Sequence, residues 1–190
     1  NANDKLLEWF DVYRELQDRF PEYDSKDNWV TTMNLGILDG GTKRTSIADK
    51  ANAEVGIRFT QDYTPEEIMG DIAEIEDVNP EGNTAEEIAD SINSQVEGYR
   101  YTVINNAPMQ KNRKDNEDIQ RLAETAEEVT GEEISLIKEE GASDARFPTF
   151  NGNTGVTFGP RGKNIHGEEE FADLASIEPY YRTLRKFITS

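Results

Sequence analysis

The sequence predicts an α+β fold in two parts, and three observations predict it. Up to residue 105 the apolar periodicity runs helix, strand, strand, helix, extra helix, strand. Two Thr-x-x-Glu signatures, Thr64–Glu67 and Thr84–Glu87, mark helix starts in the middle of that order. After Pro108 the character changes to a polar stretch, a helix, short apolar runs broken by small-residue loops, and a last helix.

Residues 3–20 form the first helix: Leu6, Phe10, Tyr13 and Leu16 recur near a 3.6-residue period, and Pro21 stops it. Trp29 to Leu38 alternates, with Met33, Leu35 and Ile37 on one face and Thr32 and Asn34 on the other. Asp39-Gly40-Gly41-Thr42 turns the chain. Ala53, Val55, Ile57 and Phe59 then mark a second strand, with Asn52, Glu54 and Arg58 facing away from them. Thr64 caps the next helix, Pro65 fits its first turn, and Ile68, Ile72 and Ile75 are its apolar stripe. After a loop at Asp77–Asn83, Ile88 and Ile92 follow the second capping box. Tyr99, Tyr101 and Val103 alternate with Arg100, Thr102 and Ile104 as a third strand, ending at Asn105-Asn106-Ala107-Pro108. One strand ahead of the first helix would complete βαββαβ, the ferredoxin-like arrangement. The helical pattern begins almost at Asn1, and the first residue is not methionine, so a preceding segment is expected.

Beyond a domain boundary placed near Pro108, residues 117–130 form a helix through Ile119, Leu122, Ala126 and Val129, with Gly131 as its terminator. Short strands are expected at Ile134–Lys138 and Val156–Phe158, and a loop at Gly141–Arg146. The last helix runs from about Ser176 to Ile188, with Tyr180, Tyr181, Leu184 and Phe187 on its inner side. No internal repeat or low-complexity tract interrupts the chain.

Composition narrows the function. The 190 residues carry 39 acidic and 20 basic side chains, a formal charge of −19. Such a surface repels phosphate backbones and anionic bilayers, so neither nucleic acid nor membrane is an expected partner. The excess reads as a solvated surface, with adaptation to a salty medium as the sharper alternative. There is no cysteine, which removes disulfides, thiolate zinc sites and cysteine nucleophiles. The single histidine, His166, cannot supply a His-rich metal site or an HExxH helix. No run approaches the ~18 apolar residues of a membrane span. No basic, apolar leader opens the chain, so the expected location is the cytoplasm.

Three segments carry a resemblance: Asn34–Thr42 followed by Ala53-Glu54-Val55-Gly56-Ile57-Arg58-Phe59; Gly141-Ala142-Ser143-Asp144-Ala145-Arg146-Phe147; and Phe158-Gly159-Pro160-Arg161-Gly162-Lys163-Asn164-Ile165-His166 with Glu170-Phe171 after it. In this order and spacing the chain resembles the dinuclear zinc peptidases and amidohydrolases related to acetylornithine deacetylase, succinyl-diaminopimelate desuccinylase, aminoacylase and glutamate carboxypeptidase. The resemblance implies that residues 1–107 are a ferredoxin-like lid, or dimerisation domain, lacking its first strand. Residues 108–190 become the C-terminal α/β part of the catalytic domain. The N-terminal catalytic half, with most metal ligands and the general base, lies outside the chain, which would then be inactive alone.

The implied chemistry is amide hydrolysis by a water that two zinc ions acidify, with cobalt or manganese as alternatives and a glutamate as proton acceptor. His166 matches the metal-binding histidine of the family's G-P-x-x-x-x-x-H loop, against the bland reading of an exposed loop histidine. Glu170 would hold that ligand or its loop, or be one of several solvated acids. Arg58 matches an arginine that grips a substrate carboxylate, a task a guanidinium fork suits. Its competing role is a cross-strand salt bridge with a residue such as Glu54. Thr45 stands where many relatives carry the Asn of an N-x-x-P segment, so that substrate contact is altered. Ser143 lies in a small-residue loop that lines the cleft, with Asp144 and Arg146 pinning the loop through hydrogen bonds and an ion pair. Asn164 is a candidate donor to substrate or a turn stabiliser. The family's lid histidine, which completes a neighbouring subunit's site, has no counterpart in this chain.

Two functions from different classes follow. One is a piece of a metallohydrolase for N-acyl amino acids or small peptides, homodimeric through the lid helix 3–20 and strand 29–38. The other is a non-catalytic module that dimerises and grips substrate. An unrelated acidic α+β binding domain is the third and least specific reading.

Overall fold

The computed structural model describes residues 1–21, 29–107, 109–138 and 141–190. It is a mixed α+β chain dividing into two compact units, Asn1–Ala107 and Pro108–Ser190; Pro108 itself lies outside the described residues.

In the first unit, helix α1 (Ala2–Arg19) starts at Asn1, whose side chain accepts from the Asn3 N–H, and stops ahead of Pro21. Strands β1 (Thr32–Gly40) and β2 (Ala51–Arg58) form an antiparallel hairpin. Helices α2 (Pro65–Ile75) and α3 (Ala85–Asn93) both begin with complete capping boxes, Thr64 with Glu67 and Thr84 with Glu87. Each box satisfies backbone donors at both its ends, which is why the two starts were legible. The core gathers Leu16 and Phe20 from the α1 end, Ile68, Met69 and Ile72 from α2, and Ile88 and Ile92 from α3, with Met33 and Ile57 of the hairpin packed against it. Arg19 ties α1 to α2 through Asp71 at 2.8 Å and Glu74 at 2.9 Å.

In the second unit, α4 (Glu117–Thr130) is capped by Asn116 and ended by Gly131 at φ 72°, the left-handed conformation glycine adopts without strain. A short helix α5 (Arg146–Phe150) follows the small-residue loop. Two-residue strands β3 (Gly162–Lys163) and β4 (Phe171–Ala172) pair antiparallel and close a loop. A 3₁₀ turn at Leu174–Ser176 leads into α6 (Ile177–Thr189). α6 packs on α4, with the Arg121 guanidinium 3.8 Å from the Phe187 ring centre and donating to the Phe187 carbonyl at 2.8 Å.

Several expectations need correction. The first strand begins at Thr32, not Trp29, whose indole donates to Gln61 at 2.7 Å. Register shifts between Leu35 and Ile37, leaving Gly36 as an extra residue. Met33 and Leu35 therefore pair with Ile57 and Val55, but Ile37 pairs with Glu54. A bulge moves every later side chain to the other face, so Ile37 does not share a face with Met33. The segments 99–104, 134–138 and 156–158 are extended but belong to no sheet among the described residues. Alternation predicts an extended backbone, whereas a strand also needs a hydrogen-bonded neighbour. On α6, Tyr180, Leu184 and Phe187 are half-buried and Thr183 fully so, while Tyr181 is 59% exposed. Tyr181 lies about 100° around the helix from Tyr180, off the apolar stripe.

Candidate functional site

Arg58 is the last residue of β2, paired with Thr32 and exposed. Asn52, Glu54 and Arg58 share one face by strand period, opposite Ala53, Val55 and Ile57. Among the described residues the Arg58 guanidinium has no hydrogen bond or ion pair, so the expected bridge to Glu54 does not form. Thr45 lies in the exposed turn between β1 and β2, where Ser46 donates to the Lys43 carbonyl at 3.1 Å. The full length of β2, about 23 Å at ~3.3 Å per residue, separates the turn end of the hairpin from Arg58.

In the second unit, Asn164, His166 and Glu170 are brought together on the loop closed by β3 and β4. Asn164 and His166 have φ of 58° and 65°, a left-handed region that Asn and His tolerate better than most residues. The loop is braced from within. The Gly167 N–H donates to the Asn164 carbonyl at 2.7 Å, Asn164 Nδ2 to the Glu169 carbonyl at 3.2 Å, and the His166 N–H to Glu170 Oε2 at 3.2 Å. Asn164 thus acts as a turn stabiliser here, and Glu170 holds the His166 backbone rather than its ring. The ring is solvent-exposed and unbonded among the described residues.

Composition and spacing did not reveal what anchors this loop. Arg161, just ahead of β3, accepts at its carbonyl from the Asp173 N–H (2.8 Å) and donates its own N–H to Ser176 Oγ (2.9 Å). Its guanidinium reaches Glu132 at 3.3 Å and Asp173 at 3.6 Å. The Asp173-x-x-Ser176 signal of a capped turn was the available clue.

Ser143 belongs to a separate turn. Its hydroxyl lies 3.1 Å from Thr157 Oγ1 and accepts from the Ala145 N–H at 3.2 Å. The expected Asp144–Arg146 ion pair is not formed among the described residues. Arg146 instead lies over the Phe147 ring at 4.9 Å, with its Nε buried and unpaired. Gly155 locks this region from the other side. Its carbonyl accepts from Gln110 at 2.9 Å and from Asn112, and a Cβ on it would meet the Ala145 carbonyl oxygen at 2.2 Å.

The family model for peptidase family M20/M25/M40 matches residues 25–190. The chain belongs to that family. The M20 match covers the strand ending in Arg58 and the loop carrying His166. It makes the protein a member of a group of metallopeptidases and amidohydrolases. Among the described residues, however, no group of three or more His, Cys, Asp or Glu side chains could hold a metal ion. A co-catalytic metal pair needs about five ligands, one of them bridging. One exposed imidazole does not meet that requirement, so a dinuclear centre does not fit this chain by itself. No helix among the described residues is long and apolar enough to cross a membrane.

One electrostatic cluster in the first unit escaped the sequence reading. Tyr99 and Tyr101 both donate to Glu76, at 3.1 Å for Tyr99 and by a shorter contact for Tyr101. Burial, then the Glu76 carboxylate, pushes the Tyr99 phenol up to about 12, and the same causes raise Tyr101 further. The Asn93 side chain meets the Tyr101 backbone at both its N–H (2.7 Å) and its carbonyl (2.8 Å). These bonds pin the extended 99–104 segment to α2 and α3.

Proposed function

We propose that this chain supplies the lid and the C-terminal part of the catalytic domain of a metal-dependent hydrolase that cleaves an amide bond of N-acyl amino acids or small peptides. The observation that carries this reading is the M20 match over residues 25–190, which takes in both Arg58 and His166. Arg58 is the carboxylate-binding residue: its guanidinium is free and turned away from the core, ready for a bidentate pair. His166 is the chain's metal ligand, presented by a loop that Asn164 and Glu170 brace and Arg161 anchors. Ser143 and Thr45 are further substrate contacts, Ser143 on a rigid turn and Thr45 on an exposed one. In this reading His166 would hold zinc, or cobalt or manganese, together with ligands and a general base that this chain does not contain, and the metal would supply the activation of the attacking water.

The lid also mediates a homodimer in this reading. The outer edge of β1 is unpaired among the described residues, and Ile37 and Leu38 near it are 48% and 51% exposed. Such an edge invites pairing with a second copy.

The test uses the intact protein. Arg58→Ala should lower kcat/KM about ten- to a hundredfold for substrates with a free carboxylate, through a raised KM, as expected for loss of a ~1.5–3 kcal/mol charge-assisted bond. Esterified substrates should be little affected. His166→Ala should lower bound zinc and activity together. An Arg58→Ala enzyme that treats acid and ester alike removes the substrate assignment. Full zinc content in His166→Ala removes the ligand assignment. Absence of zinc-dependent hydrolysis in the intact protein would favour the non-catalytic gripping module.

A further inference from the structure

The charge of the chain is not shared evenly between its two units. Residues 1–107 carry 23 acidic and 9 basic side chains, a net −14, whereas residues 108–190 carry 16 and 11, a net −5. Within the first unit the imbalance is sharper still. From Phe59 to Tyr99 there are 12 carboxylates and no Lys, Arg or His. This stretch contains α2 and α3, whose buried positions are apolar: Ile68, Met69 and Ile72 on one, Ile88, Ala89 and Ile92 on the other. The two helices pack on each other, so their carboxylates are turned to the outer side of one layer.

Nothing inside the layer offsets that charge. Glu67 with Asp71 and Glu86 with Asp90 are like charges four positions apart, and Asp71 with Glu74 and Glu87 with Asp90 are three apart. Like charges at these spacings destabilise a helix. No basic residue stands in the last turn of either helix, where it would favour the dipole. Among the described residues one cation reaches the layer, and it comes from α1. Arg19 bonds Asp71 at 2.8 Å and Glu74 at 2.9 Å.

Added salt acts on these forces unequally. The Debye length falls from about 30 Å at 0.01 M to about 3 Å at 1 M. Packed helices lie ~8–10 Å apart, so carboxylates on α2 and α3 repel one another in dilute salt and are screened in concentrated salt. The Arg19–Asp71 pair is in direct contact, with only about a quarter of each side chain exposed, and such a pair is screened much less. In the first unit salt therefore removes repulsion and leaves the Arg19 bonds in place. The second unit is built the other way. Its ion pairs, Lys186 with Glu128 between α6 and α4 and Arg161 with Glu132, are about half exposed or more, and salt weakens them.

We propose that the α2–α3 layer is an ionic-strength switch. In dilute salt its self-repulsion loosens it from the core it forms with Leu16 and Phe20, and screening closes it, while the second unit does not follow. Arg19 is the clasp that holds α2 to α1 against the repulsion. The switch works through screening, so any monovalent salt operates it. It stands apart from the hydrolase reading and needs neither metal nor substrate.

Amide hydrogen exchange on the whole 190-residue chain, at 10 mM and at 1 M NaCl, tests this. Protection of amides over 65–76 and 85–94 should rise at least about tenfold with salt, while that of α4 and α6 stays within roughly threefold or falls. Choline chloride should reproduce the effect. A triple variant, Glu81→Gln with Asp90→Asn and Glu97→Gln, removes three exposed carboxylates. At 10 mM it should be better protected than wild type by roughly threefold or more, and it should gain correspondingly less from salt. Arg19→Gln should lose protection at 10 mM and regain most of it at 1 M. The absence of any gain, or an equal gain in both units as general salting-out gives, would overturn the proposal. So would an effect of sodium that choline does not share, which means a bound cation, or a wild-type salt response in the triple variant. A loss in Arg19→Gln that persists at 1 M would overturn the clasp.

Discussion

Removing one phenol oxygen tests the electrostatic cluster that holds the extended 99–104 segment. In Tyr101→Phe the ring still meets Tyr99 edge-on, at 6.0 Å between centroids, but the donor to Glu76 is gone. A hydrogen bond to a charged acceptor contributes roughly 1.5–3 kcal/mol, and Tyr99 retains the carboxylate as a partner, so a loss of about 1–2 kcal/mol near neutral pH is expected. The pH dependence carries the sharper signature. Both phenols lie above their ordinary value in the folded chain, Tyr99 at about 12 and Tyr101 higher. A raised phenol keeps its proton in the folded state when the unfolded chain has already released it. Its contribution is full below pH ~10 and is lost as pH rises from there through the folded value. Two pKa units correspond to about 2.7 kcal/mol. Tyr99 is only half-buried, and screening reduces its share to the order of 1 kcal/mol. Urea unfolding at a series of pH values from 7 to 11, with tyrosinate absorbance followed in parallel, checks this. Wild type should lose stability steeply above pH ~10, and Tyr101→Phe should start lower and fall less steeply. Parallel pH profiles for the two proteins would refute the assignment of alkaline stability to this cluster.

Ile92→Ala removes a fully buried side chain at the centre of the first core, and a loss of about 2–5 kcal/mol by chemical denaturation is expected; a loss under ~1 kcal/mol would mean that the core is loosely packed. Gly155→Ala drives a Cβ into the Ala145 carbonyl oxygen, so the melting temperature of the chain should fall and amides at 143–147 should exchange faster; unchanged exchange there would refute the close approach. Glu170→Ala should speed exchange of the His166 amide while leaving the melting temperature nearly unchanged, because the bond it removes is local and exposed; an unaltered His166 amide would show that Glu170 does not brace the loop.

Local signals made much of this fold legible. Thr64 with Glu67 and Thr84 with Glu87 satisfy helix-end donors within four residues, so they act wherever the segment lands. Asn116 and Gly131 bracket α4 for the same reason. The β1–β2 hairpin follows from alternation and a glycine turn, although the Gly36 bulge, which re-aims Ile37, leaves no mark in the alternation itself. In the candidate site, the exposure of Arg58 follows from its place on the polar side of β2. The grouping of Asn164, His166 and Glu170 follows from their closeness in sequence.

Only the tertiary structure decided what depends on partners distant along the chain. Tyr99–Ile104 alternates like a strand, but its bonds go to Asn93 and Glu76 and it joins no sheet among the described residues. Arg161 anchors the His166 loop through Glu132, which is 29 positions away and carries no sequence mark of that role. Asp144 and Arg146 look like an ion pair by sequence, yet Arg146 packs on Phe147 instead. Caps and periodicity are properties of a few consecutive residues. Strand pairing and ion pairing are properties of two chain segments at once, and their geometry exists only after folding has brought the segments together.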